Sequence, residues 1–352
     1  MLNVSPFIKV YSTLGINFLS KTIVPTIYDV ATVAHVSIAT VSRVLNNQNK
    51  VKSETRAVVL EAIDALGFVP RADARARAIK DQRRIGVITP FFTAPSFVQR
   101  LRGVAAALQP TPYELVIYTV TNTNHLNNYL DTLPITGNLD GLIILSLQLE
   151  NRYVERLVDY RLETVMVEYP HTLLSCVEID NEEGGRKAGD YLFRKGYRNF
   201  GFVGDTATPE FGIHPITLRL MGFRKELESL GEKLPDSQIL ITQYDIEKTR
   251  EQSIIFLQKQ EFPIAIFAAT DLQAIAIIQA ARQLNLRIPQ DVAVIGFDDL
   301  DVAEYFNLTT IRQHLDESGE IAVEMLLSRL SNPNRTVQIT KLPLEIIERS
   351  TT

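Results

Sequence analysis

The chain has 352 residues, of which 45% are apolar and 22% are charged, and its formal net charge is −5. This length allows two or three domains with a substantial core, and the absence of any run of eighteen apolar residues excludes a membrane-spanning helix. The only cysteine, Cys176, excludes an intramolecular disulfide and favours a reducing compartment such as the cytoplasm. The five histidines follow no metal-binding pattern, so no metal or other cofactor is expected.

The first 25 residues follow neither a signal-peptide pattern nor a regular helical or strand periodicity. The stretch FIKVYSTLGINFLSKTIV is interrupted by polar residues, and no small-residue cleavage site follows it. We expect residues 1–25 to form a disordered extension or to result from an upstream start codon, and a targeting segment is the alternative.

Positive charge is concentrated in a short segment after this extension. Residues 26–84 contain ten Lys and Arg against six Asp and Glu, and the acidic excess lies in residues 85–352. A small basic module joined to a larger acidic body is typical of a protein that binds nucleic acid at one end.

Residues 26–70 show the pattern of three short helices. Thr26 begins the capping-box sequence TIYD, Ser37 can cap a second helix, and a third helix runs from Ser53 to Gly67. Two helices joined by a tight turn predict a helix-turn-helix, whose second helix enters the major groove of DNA. A protein-binding three-helix bundle is the alternative, but it would leave the local positive charge without a role.

The second helix has one apolar face and one face suited to DNA. Its predicted inward stripe is Val41, Val44 and Leu45. The residues left toward solvent are Ile38, Ala39, Ser42, Arg43 and Asn46.

Eight short apolar runs alternate with helical segments in the rest of the chain. They are residues 84–89, 114–120, 140–146, 163–169, 199–204, 238–242, 264–269 and 292–297. Continuous apolar strands between helices predict parallel sheets covered on both faces, and the pattern occurs twice, on either side of about residue 180. The predicted class is therefore α/β, with two doubly wound lobes and a small-molecule cleft between them.

The sequence carries no motif of a nucleotide-dependent or hydrolytic enzyme. GFVGDT follows a strand but has only two glycines, Gly201 and Gly204, and neither a Walker A loop nor a nucleophile elbow occurs. We predict that the protein is not an enzyme; a nucleophile and base near Arg219 would contradict this.

Several of these stretches together resemble one family. The segment TIYDVATVAHVSIATVSRVLNN with VKSETRAVVLEAIDALGFVP resembles the headpiece of LacI/GalR (lac repressor/galactose repressor) transcriptional regulators. IDNEEGGRKAGDYLFRKGYRNFGFVG, RLMGFRKEL and LRIPQDVAVIGFDDLDVAEYFNLTTIRQ resemble the family's periplasmic-binding-protein-like effector domain. The resemblance covers nearly all of residues 26–352.

The resemblance implies a cytoplasmic homodimer that represses transcription from a pseudo-palindromic operator in double-stranded DNA. A small-molecule effector in the cleft, expected to be a carbohydrate, would control operator affinity. A nucleoside or organic-acid corepressor is the alternative effector, and a solute-binding sensor without a DNA role is the alternative function. The apolar stripe Val104, Ala107 and Leu108 is a candidate dimer surface.

Individual headpiece residues take roles from the same resemblance. Ile38 and Ala39 follow the capping serine, where the family reads bases, and both are suited to thymine methyl groups. The family usually has glycine where this chain has His35, at a turn position that favours left-handed backbone. The predicted DNA-contacting residues of the headpiece are Thr26, Ser37, Ile38, Ala39, Thr40, Ser42, Arg43 and Asn46.

Residues 71–84, RADARARAIKDQRR, correspond to the family's hinge helix, which inserts a leucine into the minor groove. Alignment with the family pattern places Arg77 at that leucine. A guanidinium is a poor wedge between stacked bases but suits a narrow minor groove. We therefore expect Arg75 and Arg77 to read an A·T-rich operator centre with less bending; the alternative is that Ile79 supplies the wedge.

The resemblance also implies an effector site. Arg219 and Asp298 correspond to polar clamps, because a guanidinium and a carboxylate can together hold vicinal hydroxyls. Thr270 stands where members often have Asn, Glu168 stands where many have Asp, and Ser96 departs from the commonest pattern. The predicted effector-binding residues are Ala94, Pro95, Ser96, Phe97, Val98, Glu168, Arg219, Thr270 and Asp298.

The expected domain order follows from these segments. The extension is 1–25, the headpiece 26–70, the hinge 71–84 and the effector domain 85–352. Within the effector domain, lobe 1 is expected at about 85–180 and 312–330, and lobe 2 at about 181–311 and 331–352.

Overall fold

The computed structural model describes residues 25–46, 51–68, 83–205, 212, 214–243 and 245–352. The chain divides into two compact units. Of the described residues, the first unit contains those up to 84 with 124–140 and 150–163, and the second contains 85–123, 141–149 and those from 164 to 352. No helix among the described residues is long and apolar enough to cross a membrane.

The helices and strands are numbered in chain order. The helices are α1 (Ile27–Val33), α2 (Ile38–Asn46), α3 (Ser53–Leu66), α4 (Pro95–Leu108), α5 (Thr123–Thr136), α6 (Asn151–Asp159), α7 (Asn181–Arg194), α8 (Pro215–Ser229), α9 (Ile246–Leu257), α10 (Asp271–Gln283), α11 (Asp301–Tyr305) and α12 (Leu315–Ser331). The strands are β1 (Arg84–Thr89), β2 (Glu114–Thr119), β3 (Gly141–Leu145), β4 (Glu163–Val167), β5 (Ser175–Glu178), β6 (Phe200–Asp205), β7 (Ile239–Thr242), β8 (Ile264–Ala268), β9 (Val292–Asp298), β10 (Thr309–Arg312), β11 (Ile339–Lys341) and β12 (Glu345–Ile347).

The first unit contains the three headpiece helices α1–α3 together with α5 and α6. The backbone N–H of Thr26 donates to Asp29 at 2.7 Å, and the Ser37 hydroxyl oxygen accepts from the N–H of Thr40 at 3.2 Å. These side chains cap the starts of α1 and α2, and the N–H of Thr40 also donates to the backbone carbonyl of Ser37 at 2.9 Å. His35 at φ 51° and Gly67 at φ 57° adopt left-handed backbone, so the predicted turn and helix end are confirmed.

The headpiece has its own apolar core. Val41, Val44 and Leu45 are buried as predicted, and they pack with residues of α1 and α3 such as Val30 and Ile63. The helix-turn-helix is therefore built by the inward faces of three short helices, which leaves the opposite face of α2 for another use.

The second unit contains two six-stranded sheets. Their strand orders are β11-β5-β4-β3-β1-β2 and β12-β10-β9-β8-β6-β7. The strand pairs whose register is described are parallel except for β10 with β12, which is antiparallel. All eight predicted strands are present, and the predicted α/β class with two parallel-sheet lobes is confirmed. The sequence reading missed β5, β10, β11 and β12, which have only three or four residues each.

One expected lobe boundary is wrong. Residues 331–352 were assigned to lobe 2, but β11 pairs with β5 in the first sheet, with Ile339 opposite Cys176. Only β12 returns to the second sheet, beside β10. The last crossing between lobes therefore lies between residues 341 and 345. The sequence did not indicate this position, because a three-residue edge strand depends on its pairing partner and carries no apolar pattern of its own.

Helix α4 packs inward with the stripe that was considered for dimerisation. Val104 and Leu108 are 0% and 3% exposed and belong to the main core, and Ala107 packs against the same cluster. This stripe is therefore core rather than a dimer surface.

An aromatic cluster in the second sheet's core supports the cleft. The ring centroids of Phe223 and Phe267 are 5.3 Å apart, and those of Phe267 and Phe297 are 6.5 Å apart. Close aromatic packing of this kind fixes the end of β9, where Phe297 precedes Asp298.

Candidate functional site

A cavity opens at the carboxyl ends of the strands in the second unit. Ser146 follows β3, Glu168 follows β4, Thr270 lies just after β8, and Asp205 and Asp298 end β6 and β9. The carboxyl ends of parallel strands are the usual ligand site of doubly wound sheets, because the connecting loops diverge there. Both lobes therefore contribute polar groups to one cavity.

Arg219 of α8 is the central cation of the lobe 2 wall. Its Nε donates to Asn181 at 2.9 Å, and its Nη1 donates to the carbonyl of Ala269 at 2.6 Å. The guanidinium carbon lies 3.6 Å from the centre of the Phe297 ring, and Nη1 lies 3.6 Å from a carboxylate oxygen of Asp298. These contacts fix the orientation of the guanidinium before any ligand arrives.

Asp298 is a buried carboxylate with an unusual proton affinity. Burial raises its pKa to about 6, against the opposing effects of Arg219 and of a hydrogen bond from Gln313. The side-chain amide of Gln313 donates to Asp298 at 2.5 Å. The carbonyl oxygen of that amide is buried and has no hydrogen-bond partner among the described residues, so it can accept a bond from a ligand.

Arg100 of α4 is the corresponding cation of the lobe 1 wall. Its guanidinium donates to Glu168 at 2.8 Å, to Ser146 at 3.3 Å and to Ser318 at 2.9 Å. The Ser146 hydroxyl in turn donates to the Glu168 carboxylate. Ser146 follows β3, Glu168 follows β4 and Ser318 lies in α12. Arg100 therefore links these three elements at the cavity wall.

Three of the polar cavity residues have left-handed backbone without being glycine. The φ angles of Ser146, Glu168 and Asp298 are 53°, 77° and 117°. Such conformations cost on the order of 1–3 kcal/mol each and persist where surrounding contacts over-determine them. At this cavity they aim side chains from strand ends into the ligand space.

Two glycines allow the arginine-bearing helices to approach their neighbours. A Cβ on Gly103 of α4 would lie 1.9 Å from the carbonyl oxygen of Asp316. A Cβ on Gly222 of α8 would lie 1.8 Å from the carbonyl oxygen of Glu182. Any larger side chain would push α4 and α8 outward and move Arg100 and Arg219 from the cavity walls.

The remaining cavity walls are apolar. Phe91 and Phe97 lie on the lobe 1 side with ring centroids 6.1 Å apart, and Ile216, Leu272 and Leu300 lie on the lobe 2 side. A ligand there meets flat hydrocarbon surfaces between polar clusters. Among the described residues no group of three His, Cys, Asp or Glu could hold a metal ion.

Seven of the nine predicted effector residues line the cavity: Pro95, Ser96, Phe97, Glu168, Arg219, Thr270 and Asp298. Ala94 and Val98 do not. Ala94 is buried just before α4, and Val98 is 51% exposed because the helix turns it away from Ser96 and Phe97. The hydroxyl oxygen of Thr270 accepts from the N–H of Gln273 at 3.3 Å, so it also caps α10.

The sequence reading missed four polar cavity residues: Arg100, Ser146, Asp205 and Gln313. Arg100 lies three and four positions after Phe97 and Ser96, so helical spacing could have indicated it. Ser146 and Asp205 follow from the rule that strand ends form the site. Gln313 carries no local signal.

The headpiece presents the predicted reading face of α2 to solvent. Ile38 is 40% exposed, and Ala39 and Arg43 are also exposed. The hydroxyls of Ser37 and Thr40 are 2.9 Å apart, and the Thr26 hydroxyl donates to Asp29 at 2.7 Å. Ser42 is half-buried. The side chain of Asn46 and the whole of Arg75 and Arg77 lie outside the described residues.

A helix-turn-helix joined to a two-lobed ligand-binding fold defines a ligand-binding transcriptional regulator. Residues 26–71 match the family described as bacterial regulatory proteins, lacI family, and residues 189–352 match the periplasmic binding protein-like domain. The HTH-type transcriptional repressor PurR of Shigella sonnei (strain Ss046) is 31% identical over 330 residues, which are 92% of this chain and 96% of that protein. The chain belongs to the LacI family.

Two solved structures show the same architecture. The complex of the transcriptional regulator CelR with cellobiose is 25% identical, covers 93% of this chain and 100% of that one, and has a TM-score of 0.66. A LacI family regulator from Enterococcus faecalis V583 with bound ribose is 25% identical, covers 76% and 98%, and has a TM-score of 0.65. The protein is a DNA-binding repressor with a ligand-binding domain, and the prediction that it is not an enzyme is confirmed by its family.

Proposed function

We propose that the protein is a cytoplasmic homodimer whose affinity for a pseudo-palindromic operator is controlled by a carbohydrate bound in the cavity. One observation carries the effector class: each lobe supplies a buried arginine beside a carboxylate, Arg100 with Glu168 and Arg219 with Asp298, on either side of apolar walls. Sugars combine hydroxyls that donate and accept with apolar ring faces. The arrangement matches both properties.

The charge balance of the cavity favours a neutral ligand. Each guanidinium already has a carboxylate neighbour, so neither is left to bind an anion, and Asp205 adds a further acceptor. The unpaired carbonyl oxygen of Gln313 also requires a donor from the ligand. The bound cellobiose and ribose of the two related regulators support the same class.

A nucleoside is the second candidate effector. The aromatic pair Phe91 and Phe97 offers a surface on which a flat base could stack, and Gln313 could accept from an exocyclic amine. The carbohydrate proposal has the advantage that two arginine–carboxylate pairs line the cavity and can bind several hydroxyls.

The DNA-binding and dimer roles have their own support. Arg43 and the apolar pair Ile38 and Ala39 are exposed on α2, as base and methyl contacts require. Val98 of α4, with Leu218 and Met221 of α8, places exposed apolar side chains on both lobes, where a second copy could cover them. Two headpieces would then read two half-sites.

A thermal-shift panel tests the effector class on the full chain. Ribose, cellobiose, adenosine and citrate are compared, because a ligand at 100 times its Kd stabilises the folded state by about 2.7 kcal/mol. We expect stabilisation by a sugar, lost in Arg219→Gln and kept in the surface control Arg186→Gln. Stabilisation by adenosine or citrate alone would overturn the carbohydrate proposal.

An operator-binding measurement tests control by the effector. A DNA fragment selected from a random pool is titrated with and without the sugar that gave the shift. We expect the operator affinity to change about 5- to 150-fold, the usual range of coupling between two sites. Equal affinity in both conditions would contradict control by the cavity ligand.

A further inference from the structure

The headpiece packs against α5 and α6 within the first unit. Ile135 of α5 is 3% exposed and belongs to the same apolar cluster as the headpiece core, and Tyr160, just after α6, packs against that cluster. The surface formed by α5, α6 and Tyr160 is called the dock. Burial of apolar side chains across the dock favours the packed arrangement.

Polar contacts fix the position of headpiece helix α3 on the dock. Arg156 of α6 forms an ion pair with Asp64 of α3, and the Tyr160 hydroxyl donates to the same carboxylate at 3.0 Å. Arg56 of α3 donates to the side-chain oxygen of Asn128 in α5 at 2.6 Å. Three side chains of the dock thus bind two side chains of one headpiece helix.

The arginine of this contact is held in advance by the dock itself. Nε and Nη2 of Arg156 donate to the carbonyl oxygen of Asp131 in α5 at 3.2 and 3.0 Å. Both bonds are made within the dock, so part of the conformational freedom of the guanidinium is lost before Asp64 arrives. A positioned guanidinium binds a carboxylate more effectively than a mobile one.

Docking and DNA reading use different faces of the headpiece. The dock contacts α3 through Arg56 and Asp64, whereas Ile38, Ala39 and Arg43 of α2 remain exposed. A docked headpiece therefore keeps its reading face free. The dock therefore differs from a surface that inhibits DNA binding, because such a surface would cover α2.

The dock helices are continuous in the chain with two strands that end at the cavity. Helix α5 is followed by β3 and then by Ser146, and α6 is followed by β4 and then by Glu168. Ser146 and Glu168 are the two residues that Arg100 binds. A displacement of either residue by a ligand would act on the segments that begin with α5 and α6.

We propose that the dock is an interaction surface for the chain's own headpiece, and that docking makes the position of the headpiece depend on the state of the cavity. The first part stands on the contacts of α3 alone. The second part rests on the proposed function, because it needs a cavity ligand that alters operator binding.

Hydrogen–deuterium exchange on the full chain, without DNA or ligand, tests docking. Asp64→Asn and Arg56→Gln change only the headpiece side, and Arg152→Gln on α6 is the control, since Arg152 pairs with Glu150 instead. We expect amides of residues 53–66 and 123–136 to exchange roughly two- to fivefold faster in the first two variants, the range of one part-exposed ion pair. If the amides of both variants exchange at the wild-type rate, the docking proposal is overturned.

Operator titrations of the same variants test the link to the cavity. In Asp64→Asn we expect the ratio of operator affinities with and without the effector sugar to move at least twofold toward one, and by linkage the ratio of sugar affinities with and without operator should move by the same factor. An unchanged ratio despite faster exchange would overturn the link. If the operator affinity of the wild-type protein is the same with and without the sugar, the proposed function fails. The hydrogen–deuterium exchange result then tests docking by itself.

Discussion

Arg100 and Glu168 form an ion pair of 2.8 Å whose side chains are only 2% and 6% exposed. The pair joins the first turns of α4 to the end of β4, 68 residues along the chain. On the other lobe, Arg219 and Asp298 are further apart, at 3.6 Å. The lobe 1 pair is therefore hydrogen-bonded, whereas the lobe 2 pair is too long for a hydrogen bond, so a ligand hydroxyl that contacts both groups can bridge them.

Replacing Arg100 with methionine should strongly destabilise the effector domain. The carboxylate of Glu168 would remain buried without its cation, which typically costs about 3–5 kcal/mol of unfolding free energy. Urea denaturation followed by circular dichroism measures the change. The control is Arg102→Met, two residues along α4, whose half-exposed ion pairs with Asp301 and Asp316 should matter by under about 1 kcal/mol. Equal losses in the two variants would contradict a special role for Arg100.

The raised pKa of Asp298 makes effector affinity depend on pH. A sugar hydroxyl that donates to the carboxylate needs its ionised form, which is lost below about pH 6. We expect affinity to be constant above that pH and to fall by up to about tenfold for each unit below it. Isothermal titration between pH 5 and 8 measures this. Asp298→Asn should bind weakly at every pH, and a pH dependence retained in that variant would assign the effect to another group.

The same carboxyl contributes to folding with a defined sign. Because burial raises its pKa, the folded protein holds this proton more tightly than the unfolded chain does. Its contribution to stability is fully present below about pH 4 and is lost as the pH rises through about 6. Unfolding free energies of the ligand-free protein across this range should show the loss, and it should be smaller in Asp298→Asn, where the loss that remains comes from Asp271, whose pKa is also raised by burial.

Removing the cap of α2 should weaken operator binding through the headpiece's stability. In Ser37→Ala the N–H of Thr40 loses its side-chain acceptor and keeps only the backbone carbonyl of residue 37, and the loss of the capping side chain costs about 1 kcal/mol. Amide exchange of residues 38–46 and operator affinity measure the effect. Ser53→Ala, at the exposed start of α3, should change neither. If Ser37→Ala shows wild-type amide exchange but weaker operator binding, Ser37 contacts DNA and does not act by stabilising the headpiece.

The segment 71–84 gives a prediction that rests on sequence, since residues 69–82 lie outside the described residues. With Arg77 where the family has its wedge leucine, we expect wild type to bend its operator less than Arg77→Leu does. Gel mobility of circularly permuted operator fragments measures bending. Strong wild-type bending that is lost only in Ile79→Ala would contradict the arginine interpretation and identify Ile79 as the wedge.

Much of the fold and part of the site could be predicted from local patterns. Apolar runs predicted eight of the strands. Ser37 and Gly67 predicted helix ends, because capping depends on neighbours within a few residues. The missed strand β11 has exposed and polar residues and becomes a strand only by pairing with β5. Val98 was misplaced because the start of α4 at Pro95 sets which side chains face inward.

The sequence by itself determined the family, the helix-turn-helix and the α/β class, since these depend on short-range chemistry and periodicity. Only the tertiary structure decided that Arg100 binds Glu168, that Gln313 lies beside Asp298, and that Arg156 meets Asp64. Each of these pairs joins side chains far apart in the chain or on separate elements. Whether two such side chains are in contact depends on how the sheets and helices pack, and no local pattern of residues encodes that packing.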